Sequence, residues 1–161
     1  MMRLPQSSLK VLAAVSLLGL SLSQAAAPAS DVAVVVHPGV PVTNLTFDDV
    51  RKIMLGDRQY WSPSLRITLI VRAPAARERD VLLKTVYQMT EAQFHQYWIS
   101  KQFRDEAASG PTIVYSNEQA AERVAAIPGS ISFVDAAQIP KGVKVLRIDG
   151  RLPGEPGYRL H

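Results

Sequence analysis

The sequence predicts an α/β fold, with helices packed on a central, mostly parallel sheet. Three observations carry this. Apolar, β-branched runs alternate with stretches of helical spacing, in the order β-α-β-α-α-(β)-α-β-β. Val32–Val36 is apolar at every position, as in a strand covered on both faces. Ile67–Val71 runs directly into Pro74 and then into a helical pattern over Arg77–Tyr87, with Leu82, Leu83, Val86 and Tyr87 forming its apolar stripe. Such a strand–loop–helix junction lies at the carboxyl end of a strand, where ligands of open α/β sheets bind.

The N-terminus reads as a leader rather than as part of this fold. Arg3 and Lys10 stand without an acid in Met1–Lys10, Val11–Leu22 is apolar, and the small residues up to Ala25 or Ala27 fit a cleavage site. The expected organisation is a signal peptide over 1–25, a linker over 26–31, one domain over 32–149 and a flexible, Gly- and Pro-rich tail over 150–161. Cysteine is absent from all 161 residues, so no lipid attaches at the cleavage site and no disulfide holds the domain. This pattern implies a soluble periplasmic protein with no membrane insertion after processing. The formal charge is +4, and only +2 once the leader is removed. With no basic run, nucleic acid is not an expected partner.

After His37–Pro41 breaks the first strand, Asn44–Gly56 carries a full set of helix signals. Thr46 is the expected N-cap, Asp48 and Asp49 lie in the positive first turn, Leu45 and Val50 take the staple positions, and Gly56 suits a left-handed stop. Gly56–Pro63 reads as a polar loop holding Tyr60 and Trp61. Thr90 with Gln93 forms the capping box of the next helix, where Phe94, Tyr97 and Trp98 share one face and suit core packing. After a loop over 104–111 and a short extended piece at Ile113–Tyr115, Ser116 with Gln119 opens a helix whose expected stripe is Ala121, Val124 and Ala125. Pro128-Gly129 ends it. Ser130–Val134 and Val143–Ile148 are the last strands, the second alternating like an edge strand.

Chemistry-bearing residues are few. His37, His95 and His161 have no second ligand at metal spacing, there is no Gly-x-Ser-x-Gly elbow, and Gly-rich phosphate loops are missing. Neither an enzyme, a metal site nor a cofactor is therefore expected. The candidate that remains is an anion seat at the strand–helix junction, where the helix start offers free backbone N–H groups between Arg72 and Arg77. The candidate binding residues are Arg72, Ala75, Ala76, Arg77 and Ser116.

Several pieces together resemble the phosphate-binding proteins of ABC transporters, in a short, single-lobe form of the periplasmic-binding-protein-like fold. They are Val34-Val-Val-His-Pro38, Leu45–Gly56 followed by Tyr60-Trp61, then Trp98, and Ala126-Ile-Pro-Gly-Ser-Ile-Ser-Phe-Val134. Their order and spacing span Val32 to Ile148. The resemblance implies a small anion such as phosphate as ligand and a periplasmic or membrane protein as partner. Two departures qualify what it implies. The Gly-Ser-Ser/Thr loop that opens full-length members has no counterpart, and where the family has Arg-x-x-x-Ser-Gly-Thr this chain keeps Arg72 but has Ala76-Arg77-Glu78. Losing both hydroxyls and gaining a carboxylate implies weak anion binding. The alternative is a scaffold or interaction protein that has lost the ligand.

Overall fold

The computed structural model describes residues 29–107 and 109–161, and the leader expected over 1–25 lies outside them. Five strands form the main sheet in the order β6 (Thr112–Val114), β5 (Thr68–Arg72), β7 (Ser130–Asp135), β1 (Val32–Val36) and β8 (Lys144–Val145). β5 pairs parallel with both β6 and β7, while β1 runs antiparallel to both β7 and β8. Four of the five strands therefore point one way, and the mixed, mostly parallel sheet expected from the sequence is present.

Alternation along the strands distributes side chains to two cores. Val32, Val34, Val36, Val71, Ile131 and Phe133 face the larger one, with α1 (Phe47–Met54), the helical segment after β5, and α3 (Glu91–Phe103) packed over them. Ala33, Val35, Ile70, Val114 and Val134 face α4 (Asn117–Ala126) through Ala120 and Val124. Val32–Val36 is wholly buried because it is covered from both sides. On α4, Ala120 rather than Ala125 completes the inward stripe with Ala121 and Val124, and Ala125 is exposed.

The helix signals hold in detail. Thr46 and Thr90 each form a complete capping box, with Asp49 and Gln93 respectively, and Gly56 has φ +75°. The segment after β5 begins as a short α-helix, α2 (Arg77–Val81), and widens into a π-helical turn over Leu82–Tyr87. Tyr87, Phe94 and Trp98 pack edge-to-face in the larger core.

Three sequence expectations are corrected. The loop over Gly56–Pro63 contains a strand, β3 (Tyr60–Ser62), which forms a hairpin with β4 (Leu65–Arg66). Its Trp61 Nε1–H donates to the Gly129 carbonyl at 2.8 Å. The single edge strand expected over Val143–Ile148 is split: β8 joins the main sheet, and β9 (Arg147–Ile148) pairs parallel with β2 (Asn44–Leu45). The segment expected as a flexible tail is packed, because Tyr158 and Leu160 find apolar seats and backbone partners that its Gly and Pro content conceals.

Candidate functional site

The parallel strands β5, β6 and β7 end side by side at Arg72, Val114 and Asp135. α2 and α4 both begin at this edge, so two positive helix ends and a strand-end arginine converge there. The Ala73 N–H donates to the Val114 carbonyl at 2.8 Å and ties the loop after β5 to β6.

Arg72 is a largely buried charge at this edge, its side chain only 12% exposed. One guanidinium nitrogen lies 3.1 Å from Glu78 Oε1 and donates to Asn117 Oδ1 at 2.5 Å. Its Nε is buried and has no hydrogen-bond partner. Asn117 Oδ1 also accepts the Asp135 N–H at 3.4 Å, so one side chain joins the ends of β5 and β7 to the start of α4.

The other predicted residues share the same edge in different roles. Ala76 is the N-cap of α2 and gives no side-chain cap, which leaves the first-turn N–H groups without one. Its own N–H, expected as an anion donor, is taken by the Ala73 carbonyl at 3.2 Å. Ala75 is exposed at φ +69°, a backbone shape that costs a non-glycine residue about 1–2 kcal/mol. Arg77 forms no ion pair within 4 Å among the described residues, although its charge helps hold the Asp135 carboxyl below the usual range. Ser116 caps α4, its hydroxyl oxygen accepting the Gln119 N–H at 3.0 Å.

Three members of this edge were not singled out as binding residues in the sequence: Glu78, Asn117 and Asp135. In the sequence Glu78 is a charge beside the seat; in the structure it is a direct partner of Arg72. With Arg72 and Arg77, the two carboxylates make the edge formally neutral. Arg79, one residue beyond Glu78, braces this edge from behind: it donates to the Arg72 carbonyl at 3.2 Å, holds Glu91 through two bonds of 2.9 and 2.8 Å and lies 4.3 Å over the Phe94 ring.

A separate cavity of about 230 Å³ opens at the other end of β5, lined by Thr68, Leu69, Gln59, Arg58 and Trp98 among others. The buried guanidinium and the converging helix starts are not part of it.

No family model matches the chain. Over 132 residues it is 26% identical to the phosphate-binding protein PstS of Borreliella burgdorferi, a match covering 74% of this chain and 43% of that protein. Its fold is similar to that of a putative phosphate ABC transporter substrate-binding protein with bound phosphate from Clostridium perfringens. There the TM-score is 0.60 at 17% identity, over 75% of this chain and 46% of that one. PstS from Borrelia burgdorferi gives 0.59 at 20% identity, covering 77% and 49%. An ABC-type phosphate transport receptor from Vibrio cholerae gives 0.62 at 19%, covering 77% and 48%. The resemblance read from the sequence is thus borne out: the neighbours in sequence and structure are substrate-binding proteins of phosphate ABC transport. The chain spans less than half the length of these relatives.

Proposed function

We propose that this chain is a solute-binding module of the PstS type that holds a small oxyanion such as phosphate, weakly, at the edge formed by Arg72, Arg77 and the starts of α2 and α4. One observation carries the reading: a largely buried arginine with an unpartnered Nε stands where two helix N-termini meet the ends of three parallel strands. Tetrahedral oxyanions are matched by that combination of guanidinium donors and free first-turn N–H groups. The role is binding rather than catalysis, in keeping with relatives that are substrate-binding proteins. Its setting is the periplasm, with a transporter or another membrane protein as partner.

Affinity is expected in roughly the high-micromolar to millimolar range. The two hydroxyls that the family motif supplies are replaced by Ala76 and Glu78, and each charge-assisted bond lost removes about 1.5 kcal/mol or more. Calorimetric titration of phosphate into wild type and Arg72→Ala tests the reading. Heat in the wild type that disappears in Arg72→Ala, falls less in Arg77→Ala and weakens with salt is the expected result. Equal heats for wild type and Arg72→Ala would remove the anion seat and leave a scaffold.

A further inference from the structure

We infer that Glu78 is a tethered competitor for the anion: its carboxylate holds one guanidinium nitrogen of Arg72, and a free oxyanion gains the whole guanidinium only by displacing it. This inference rests on the anion-seat reading above. The supporting geometry is direct. Glu78 Oε1 lies 3.1 Å from the Arg72 guanidinium, with the two side chains 9% and 12% exposed. The same guanidinium nitrogen also donates to Asn117 Oδ1, so that corner of Arg72 is filled from two sides. Glu78 belongs to the first turn of α2, where a negative group is favoured. A carboxylate there presents to Arg72 the same chemistry as one edge of a phosphate ion.

Two consequences follow from the covalent tether. Glu78 is six residues from Arg72, so its effective concentration at the guanidinium is of millimolar order or higher, and free phosphate competes against that. The seat is also empty of its internal carboxylate only part of the time, and the apparent dissociation constant rises by the inverse of that fraction. A phosphate that enters without expelling Glu78 meets a like charge a few ångströms away. Arg79 cannot relieve this, its guanidinium being committed to Glu91, the Arg72 carbonyl and the Phe94 ring. Glu78 therefore adds to the weakness left by the missing hydroxyls and biases the seat against highly charged anions.

The test is titration of inorganic phosphate, at fixed pH and ionic strength, into wild type, Glu78→Gln, Glu78→Ser and the double variant Glu78→Gln/Arg72→Ala. Gln keeps the volume and drops the charge, whereas Ser removes the reach, so a folding defect in one leaves the other as the measurement. Circular dichroism and a thermal melt qualify each variant. Both single variants should bind phosphate on the order of tenfold tighter or more than wild type, and the double variant should lose the gain. Binding in the single variants that equals or falls below wild type while still requiring Arg72 would overturn the competitor and spare the seat. Binding only after Glu78 is replaced would support the competitor and show that the wild-type seat is closed. No binding in any protein at tens of millimolar phosphate would overturn both.

Discussion

A charge withdrawn from water at a strand end needs partners within its own reach, and the residues of this edge meet that need in ways local sequence cannot display. Arg72 is visible in the sequence as an arginine ending an apolar run. Its partner Asn117 is 45 residues away, and only the pairing of β5 with β6 brings the two together. Asp135 was unreadable for the same reason. Its carboxyl is held below the usual carboxylate range chiefly by a hydrogen bond from the Ser30 hydroxyl, with the Ala137 N–H at 2.9 Å and the Arg77 charge adding to it and desolvation opposing. A lowered folded-state value means that this stability is complete above the unfolded carboxylate value near 4 and is lost as pH falls through the folded one. Solvent screening keeps the contribution below about 1 kcal/mol. Thermal midpoints measured from pH 6 down to pH 3 should fall in the wild type, with Asp135→Asn less stable at pH 6 and losing less on acidification. Parallel pH profiles for the two proteins would remove Asp135 from the account.

Helix ends were the most legible elements, because a cap is a contact over three residues. Thr90 with Gln93 is a box that sequence spacing alone specifies, and Thr46 is legible as a cap, its box completed in the structure by Asp49. The β3–β4 hairpin was not legible: its strands are two and three residues long, and its anchor comes from Gly129, 68 residues beyond Trp61. Gly129 is where this element meets the sheet. Its carbonyl accepts both the Trp61 indole N–H and the Thr68 N–H, the latter at 3.2 Å. Its φ is +79°, and a Cβ there would stand 2.1 Å from the Arg66 carbonyl oxygen. Both the backbone shape and the contact exclude a side chain. Gly129→Ala should therefore destabilise by about 3 kcal/mol or more, with the hairpin displaced and Trp61 more exposed. Urea unfolding followed by tryptophan fluorescence reads both effects. A loss under about 1 kcal/mol with unchanged emission would mean that the hairpin shifts to make room.

At the scale of the whole molecule, the apolar run Val32–Val36 correctly announced two-sided burial but not direction, since β1 is the one strand of the main sheet that opposes the others. Composition misled most at the other end of the chain. Pro153, Gly154, Pro156 and Gly157 suggested looseness, yet Gly154 and Gly157 take φ +86° and +84° and turn the segment back onto β1. The Val32 N–H donates to the Leu160 carbonyl at 2.8 Å, and the Tyr158 hydroxyl donates to the Val32 carbonyl at 2.7 Å. Leu160 is fully buried, Tyr158 is 4% exposed, and the Arg159 guanidinium lies 3.6 Å over the Phe47 ring on α1. The segment thus closes the larger core between β1 and α1 and is part of the cooperative unit. Leu160→Ala should cost about 2–5 kcal/mol through the cavity it leaves. Tyr158→Phe, which removes only the hydroxyl and leaves the Val32 carbonyl short of a donor, should cost about 1–2 kcal/mol. Deleting residues 152–161 removes both anchors and should exceed either substitution, with a lower midpoint in urea and a broader transition as β1 loses its cover. A truncated protein that unfolds at the wild-type midpoint would return the segment to the role of a loose tail.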